Sequence, residues 1–443
     1  MTDCFPTRHA RRLPRGFCST LLGRVFAGLT LTLVAATGAD AQDWARFRGP
    51  NGTGAATGKL PTSFGPESLV WKVALPGAGR SSPVVAHGKV FLQSSTPTER
   101  VFHCLGAADG KSQWTFSLPG KVGHTHTRNT LASGTAAVGK EAVYVTLWDG
   151  DRLHLFGFDL AGHKLWSRDL GTFTSQHGPG HSPIVEGELV LFVNEQDEYA
   201  KLMAFDAKTG ETVWEAAREK SRSCYSTPLV RDRADGTREV VVASTTGIGG
   251  YEVKTGRELW LWTWAGNKLR TVASPIESHG LVFVTGGDGG GSRNAAAVRL
   301  DGEGKLGESF VAWSGGRGFP YVPSLLASGD HLYMVHDGGI AACHSVKTGE
   351  QIWTERIGGK FSASPILVGG NVLIVNEEGQ VTVFPAEPAY KSVATGSIDE
   401  TVFATPAFAG GRLYIRGDTH LHCYGPAKST TGVRREGAKV AGG

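Results

Sequence analysis

Residues 182–214 have the sequence SPIVEGELVLFVNEQDEYAKLMAFDAKTGETVW. After Ser182-Pro183 this stretch contains an apolar strand, a Glu-Gly turn, a second apolar strand, a polar loop and a third strand. A Lys-Thr-Gly turn then leads into a fourth strand that ends at Trp214. Pro suits the start of a strand, because its missing N–H costs little there. The stretch therefore predicts one four-stranded antiparallel sheet.

The same pattern occurs eight times along the chain. Six copies open with Ser or Thr followed by Pro, and two degenerate copies open at Ser133-Gly134-Thr135 and at Pro323-Ser324. A period of about 41 to 53 residues is typical of four-stranded propeller blades. Because one such sheet cannot bury both of its faces alone, the ring is the folding unit. We therefore predict an all-β, eight-bladed β-propeller. The regular copies begin at Ser82, Ser182, Thr227, Ser274, Ser364 and Thr405.

The two ends of the repeat array complement each other. Leu69-Val70-Trp71-Lys72-Val73 resembles the last strand of a blade, whereas the eighth copy stops at Tyr424 without such a strand. We expect the N-terminal strand to complete the last blade, which leaves no free sheet edge at the seam. The propeller then spans 71–425. The extended segment 42–70 is expected to pack along the outside of the ring, and the polar tail 426–443 to be disordered.

Residues 1–41 are typical of an export signal. Four arginines precede the apolar run Leu21 to Val34, and Ala39-Asp40-Ala41 has the small-x-small form of a cleavage site. A retained membrane anchor is the alternative, although the apolar core is shorter than the roughly 20 residues that span a bilayer. Five arginines and two aspartates here account for +3 of the formal net charge of +4, so the remaining chain is close to neutral. We therefore predict no nucleic-acid partner. The export signal predicts a location in the periplasm or outer cell envelope, and we expect a monomer.

Four cysteines follow the predicted cleavage site: Cys104, Cys224, Cys343 and Cys423. Three of them occupy one repeat position, which Ala204 fills in another copy. Equivalent positions in neighbouring blades are too far apart for a disulfide bond. We therefore expect buried free thiols that fill tight spaces between blades.

The turn before each Trp also carries a family resemblance. Residues 204–214, 254–260 and 347–353 resemble the tryptophan-docking repeat of the quinoprotein dehydrogenases, which also occurs in BamB-like propellers. This resemblance covers roughly residues 43–425 and implies the fold rather than an activity. In the dehydrogenases it would imply pyrroloquinoline quinone (PQQ), Ca²⁺ held by Glu, Asn and Asp, two adjacent cysteines and a catalytic Asp. This chain has no adjacent cysteines, and we assign none of those roles to its residues.

Basic and His side chains recur in the loops between blades, which surround the mouth of the central channel. A ring of such groups would focus positive potential and favour an anionic guest, which Arg can bind through two N–H groups. The alternative is that they are solvated loop residues. The candidates for this anion funnel are Arg80, Arg128, His177, His181, Arg222, Arg270, Arg317 and Lys360.

Two sets of loop residues on the same face could bind metals. Histidines in consecutive loops could hold a transition metal, and Asn, Asp and Glu side chains in hairpin loops could hold Ca²⁺. Each set also has an ordinary structural interpretation, as backbone-bonded His and as turn residues, so we assign no metal ligand. The sets are His124, His126, His177 and His181, and Asn194-Glu195, Asp288, Asp337 and Asn376-Glu377.

These features favour an exported binding or scaffolding protein of the cell envelope, similar to BamB, with no identified catalytic residues. Its partner would be an envelope protein or a small anionic ligand. A PQQ-dependent alcohol or sugar dehydrogenase, with quinone in the funnel, is the alternative.

Overall fold

The computed structural model describes residues 42–197 and 199–426. These residues form eight sheets, each with four antiparallel strands, arranged as the blades of a ring. The predicted all-β, eight-bladed propeller is therefore confirmed. The predicted signal peptide, 1–41, and residues 427–443 of the predicted tail lie outside the described residues.

Each blade is a meander whose first strand lies nearest the channel. In blade 1 the first two strands are buried except at the half-buried Lys89, whereas the fourth strand alternates between exposed and half-buried positions, because only one of its faces is packed. Blades 1 and 2 comprise Val84–Ala86, Lys89–Ser95, Glu99–Gly106 and Ser112–Pro119, and Ala137–Val138, Ala142–Trp148, Arg152–Asp159 and Lys164–Thr172. Blades 3 and 4 comprise Ile184–Glu186, Leu189–Gln196, Tyr199–Asp206 and Thr212–Ala217, and Leu229–Asp232, Arg238–Ser244, Gly247–Glu252 and Glu258–Thr263.

The second half of the ring repeats this arrangement, with two short additions. Ala55–Ala56 pairs in parallel with the first strand of blade 7, and Gly304–Leu306 with the fourth strand of blade 4. Single 3-10 turns span Pro50–Gly52 and Glu308–Phe310. Blades 5 and 6 comprise Ile276–Ser278, Leu281–Gly287, Arg293–Arg299 and Val311–Gly315, and Leu326–Ser328, His331–Val335, Ile340–Ser345 and Gln351–Arg356. Blades 7 and 8 comprise Ile366–Val368, Asn371–Val375, Gln380–Pro385 and Ala394–Ser397, and Ala407–Ala409, Arg412–Arg416, His420–Tyr424 and Leu69–Ala74.

The ring closes at blade 8 as predicted. Leu69–Ala74 pairs antiparallel with His420–Tyr424 and so supplies the fourth strand of that blade. From this strand the Trp71 indole donates a hydrogen bond to the Ala107 carbonyl of blade 1 at 3.1 Å. The strand also carries Lys72, which forms an ion pair with Glu400 at 3.0 Å. The N-terminal strand thus joins the last blade to the first.

The Ser or Thr that opens each copy forms a circle of hydrogen bonds around the channel. Its hydroxyl accepts a bond from the backbone N–H of the corresponding residue in the preceding blade, as Ser324 Oγ does from the Ser274 N–H at 3.0 Å. Seven of the eight possible links are present within the described residues, and the one from the Thr405 N–H to Ser82, at 3.1 Å, joins the last blade to the first. The hydroxyl is needed because a buried N–H must be paired. The other acceptors are Thr135, Ser182, Ser274, Ser364 and Thr405.

The Gly and Trp of the fourth-strand turn join neighbouring blades. Gly210 has φ +70°, and an added Cβ would lie 2.5 Å from the ring of Trp166 in the preceding blade. The Trp166 indole in turn donates to the Ala207 carbonyl at 3.0 Å. The predicted packing role of these Trp residues is therefore confirmed. Equivalent indole–carbonyl bonds start from Trp71, Trp114, Trp214, Trp313 and Trp353.

All four described cysteines are buried and free, which confirms the expectation. Cys104, Cys343 and Cys423 lie on third strands, and Cys224 lies in the loop before blade 4. Burial raises the pKa of the Cys104 thiol to about 11. These thiols are therefore packing groups that stay protonated near neutral pH.

The segment before Leu69 does not simply follow the outside of the ring, and here the sequence-based expectation was wrong. Residues 44–56 cross the channel and bond to the inner edges of five blades. Trp44 exchanges two hydrogen bonds with Val85 of blade 1, at 2.7 and 3.0 Å. The remaining contacts join Ala45 to Val138, Asn51 to Val230, Arg48 to Leu325, and Gly54 to Leu367, in blades 2, 4, 6 and 7.

The Gly- and Pro-rich composition of this crossing segment allows its tight turns. Arg48 and Asn51 both have positive φ, at 61° and 47°. Trp44 and Arg48 are only 1% and 0% exposed, and a Cβ at Gly49 would lie 2.5 Å from the Trp44 ring. The crossing segment, residues 44–56, thus fills the channel below its mouth. Within residues 42–197 and 199–426, no helix is long and apolar enough to cross a membrane.

Candidate functional site: the cationic mouth of the channel

A cavity of about 790 Å³ occupies the mouth of the channel. Its walls are the inter-blade loops and the circle of Ser and Thr residues, and Phe47 of the crossing segment also lines it. The crossing segment thus contributes to the inner end of the cavity through Phe47. Its volume lies within the roughly 300–1,000 Å³ that is typical of small-molecule sites.

Six of the eight predicted funnel residues line this cavity, and two do not. The lining residues come from the loops that lead into blades 1, 2, 3, 4, 5 and 7. Both groups of loops expected on this face, between blades and between second and third strands, contribute to the wall. The six lining residues are Arg80, Arg128, His177, Arg222, Arg270 and Lys360.

His181 and Arg317 lie elsewhere. His181 is buried behind the wall, with its ring 5.2 Å from that of Tyr225 and 5.5 Å from that of Phe173. Burial lowers the pKa of His181 to about 4, so this imidazole is neutral at pH 7. Arg317 is exposed at the tip of a turn, and the same loop presents Tyr321 to the cavity instead.

Sequence reasoning missed several lining residues, of which Arg293 is the most informative. Arg293 starts the third strand of blade 5, just after the Gly-rich hairpin 286–291. Its guanidinium lies 5.4 Å from the centre of the Tyr321 ring and 3.6 Å from Asp337. Its position in the sequence is informative, because hairpin loops between second and third strands are expected on this face, whereas the predicted anion funnel consists of residues from inter-blade loops alone.

Arg270 is buried in the cavity wall, at 3% exposure. Its Nε donates to the Ser223 carbonyl at 2.8 Å, and its Nη1 donates to the His177 ring at 2.8 Å. Burial and the nearby Arg270 charge lower the pKa of His177 to about 4. Arg270 is therefore a fixed cation beside a neutral imidazole.

Arg80 lies in the loop that leads into blade 1. Its guanidinium stacks on the Phe403 ring at 3.5 Å, and its Nη1 donates to the Thr127 carbonyl at 3.0 Å. Burial lowers the pKa of Arg80, whereas Asp418 and Glu377 raise it from a distance. The aromatic stack holds this cation in one orientation.

The carboxylates near the mouth are engaged in holding the loops. Asp337 accepts the backbone N–H groups of Tyr321 and Val322, at 2.8 and 3.1 Å. Glu377 accepts from the Ser362 hydroxyl at 2.7 Å and pairs with Arg128 at 3.3 Å. The other acidic and amide side chains here also have protein partners. Asp288 accepts the Ser292 N–H, and Asn376 accepts the N–H groups of Glu378 and Gln380. Glu195 accepts a hydrogen bond from Arg218.

The loop histidines are brought together only in part. The rings of His126 and His177 lie 4.9 Å apart with their planes tilted by 32°, whereas His124 bonds to the Gln176 carbonyl at 3.0 Å. In the part of the chain that the structure describes, no group of three His, Cys, Asp or Glu residues is arranged to hold a metal ion.

The charge at the mouth is unbalanced. Six cationic side chains and two acidic ones, Asp288 and Asp337, line the cavity. Among the described residues, only Arg128 and Arg293 of these cations have a carboxylate oxygen within 4.0 Å. The excess charge is positive and lies in a concave site, where the low-dielectric wall strengthens the positive electrostatic potential. The four cations without such a partner are Arg80, Arg222, Arg270 and Lys360.

These residues do not fit the calcium–quinone arrangement that the resemblance implies. The cations would suit the carboxylates of PQQ, but the acidic side chains that would hold Ca²⁺ beside it are bonded to loop backbone or to Arg. Cys104 and Cys343 lie on third strands of different blades rather than beside each other. We derive no reaction step through a quinone.

Fold and site together define a PQQ-repeat type of eight-bladed β-propeller, with a cationic cavity at one end of its channel. The family model described as outer membrane protein assembly factor BamB matches residues 65–156, 152–306 and 308–392. The chain belongs to this family.

Two curated relatives match parts of the chain. BamB of Shewanella oneidensis is 28% identical over 167 residues, which are 36% of this chain and 40% of that protein. Tetrathionate hydrolase of Acidithiobacillus ferrooxidans is 21% identical over 345 residues, which are 74% of this chain and 55% of that protein. The matched regions thus span about half or less of each relative.

Solved structures share the fold at low sequence identity. BamB from Moraxella catarrhalis aligns with a TM-score of 0.59 and 13% identity, over 81% of this chain and 97% of that one. A europium-containing methanol dehydrogenase aligns with a TM-score of 0.64 and 11% identity, over 87% of this chain and 98% of that one. The quinohemoprotein alcohol dehydrogenase of Comamonas testosteroni aligns with a TM-score of 0.64 and 14% identity, over 86% of this chain and 80% of that one. At these identities the likeness concerns the fold alone.

Proposed function

We propose that this protein is an exported, BamB-like binding protein of the cell envelope that recognises an anionic group at the mouth of its channel. The observation that carries the proposal is the set of four cations in the cavity wall that have no carboxylate oxygen within 4.0 Å among the described residues. Burying an unpaired charge such as that of Arg270 is costly, and an anion from outside the chain would offset this cost.

Family membership and the export signal predicted for residues 1–41 support the envelope location and a binding or scaffolding role. The anionic group would belong to a small ligand or to an acidic segment of an envelope protein. Cell fractionation tests the location: recovery in the cytoplasm would contradict it. We do not propose the dehydrogenase alternative, because the carboxylates at the mouth already have protein partners.

Calorimetric titration tests anion binding directly. The exported protein is titrated with sulfate, phosphate, citrate, tetrathionate and PQQ, the last with and without Ca²⁺. We expect binding that weakens with salt and that falls by about 10- to 100-fold in Arg222→Glu and Arg270→Glu, since each removes a charged hydrogen-bond donor.

Arg317→Glu is the matched control, because it reverses the same charge on an exposed turn outside the cavity. Equal losses in Arg270→Glu and Arg317→Glu would contradict a site at the mouth. Tight, Ca²⁺-dependent binding of PQQ with dye-linked alcohol oxidation would overturn the proposal in favour of the dehydrogenase.

A further inference from the structure

Three of the four cations that have no carboxylate oxygen within 4.0 Å among the described residues lie on two opposite sides of the mouth. Arg80 precedes blade 1, and Arg222 and Arg270 precede blades 4 and 5. Because blade 1 lies opposite blade 5 in a ring of eight, Arg80 faces Arg222 and Arg270 across the cavity. The fourth cation, Lys360, precedes blade 7 and lies two blades from Arg80 and two blades from Arg270.

Most other charged groups of the wall are paired or bonded to the protein. Arg128 is paired with Glu377 at 3.3 Å, and Arg293 is 3.6 Å from Asp337. Asp288 accepts the Ser292 N–H, and the apolar ring of Phe47 also lines the cavity. The mouth therefore has two opposed cationic poles, Arg80 on one side and Arg222 with Arg270 on the other.

Both poles are held in place by contacts that leave donors for a guest. Arg270 uses Nε and Nη1 on Ser223 and His177, and Arg has five N–H donors in all. At the other pole Arg80 is fixed by its stack on Phe403.

We propose that the mouth takes an elongated small dianion, with one anionic group at each pole. This inference rests on the proposed function and adds the ligand class to it. A cavity of about 790 Å³ accommodates such a molecule, and an anion with a charge at only one end would leave the opposite pole without an anionic partner.

A chain-length series tests the two-pole arrangement. The exported protein is titrated calorimetrically with α,ω-dicarboxylates from malonate to pimelate, with disulfonates of matched length, and with monocarboxylates of matched length. We expect an optimum length, and at that length a dianion that binds about 10- to 100-fold more tightly than the monoanion. The carboxylate and sulfonate arms distinguish the chemistry of the end group.

Arg80→Gln removes one pole, and Arg270→Gln removes the buried cation of the other. Each variant should lower the affinity for the optimal dianion to about that of the matched monoanion, and should abolish the dependence on length. Arg317→Gln is the control for charge. If Arg270→Gln fails to fold, the exposed Arg222 at the same pole provides the replacement variant Arg222→Gln.

The outcomes separate the two claims. Monoanions that bind as tightly as dianions of every length would overturn the two-pole inference but leave anion binding at the mouth intact. If no anion binds to the wild-type protein, the proposed function itself fails.

Discussion

Replacing Ser324 by Ala tests the circle of hydrogen bonds that underlies the fold. Ser324 is 1% exposed, and its hydroxyl accepts the backbone N–H of Ser274 at 3.0 Å. In Ser324→Ala that buried N–H loses its partner, which costs about 1–3 kcal/mol. For the roughly 380 residues that the structure describes, the entropy of unfolding converts this loss into a fall in Tm of about 1–4 °C.

The assay is thermal unfolding followed by circular dichroism, with urea unfolding as a second measure. Ser324→Thr is the matched control, because Thr occupies the equivalent position in three other blades and keeps the hydroxyl. We expect it to melt close to the wild type. The reasoning is refuted if Ser324→Ala melts like the wild type, or if both variants fall equally.

Three further predictions concern other parts of the structure. Gly210→Ala should destabilise the protein by more than about 1 kcal/mol, since its Cβ would lie 2.5 Å from Trp166 at a φ of +70°; urea unfolding measures this. Burial raises the pKa of Glu400, but bonds to Lys72 and Thr419 outweigh this effect and lower the pKa to about 2. The Glu400 carboxylate should therefore stabilise the fold above pH 4.5, and this stabilisation should be lost as the pH falls towards 2. Melting temperatures of Glu400→Gln should therefore depend less on pH in this window. Asn51→Ala should cost about 1 kcal/mol and speed amide exchange at Val230, because it removes two hydrogen bonds to that residue.

Gly171→Ala is the matched control for Gly210→Ala. Gly171 also has positive φ, at 89°, but an added Cβ there meets no atom within 4 Å, so Gly171→Ala reports the backbone strain alone. Equal losses in the two Gly variants would contradict the close packing on Trp166. An unchanged pH profile in Glu400→Gln, or unchanged exchange at Val230 in Asn51→Ala, would contradict the other two predictions.

The repeat made the fold predictable from sequence, because each blade carries its own local signals. Ser182-Pro183 and the Gly210-to-Trp214 turn recur in equivalent places, and their roles in the circle of hydrogen bonds and in blade docking need only neighbouring copies. The closure by Trp71 was predictable for the same reason, since a fourth strand was missing at one end and present at the other.

The crossing segment and the details of the mouth were not predictable in this way. Residues 44–56 bond to five blades that lie far apart in sequence, and no local pattern marks those contacts. At the mouth, loop position located most of the cations but not the direction of their side chains. His181 turns into the core and Arg317 into solvent, whereas Arg293 reaches the cavity from a hairpin.

A crystal structure of the protein soaked in selenate would test the central claim most directly, because the anomalous signal of selenium marks each bound dianion. We predict a peak inside the mouth, within hydrogen-bond distance of Arg270 or Arg80. Peaks confined to outer surface cations such as Arg317, with none in the cavity, would contradict the account.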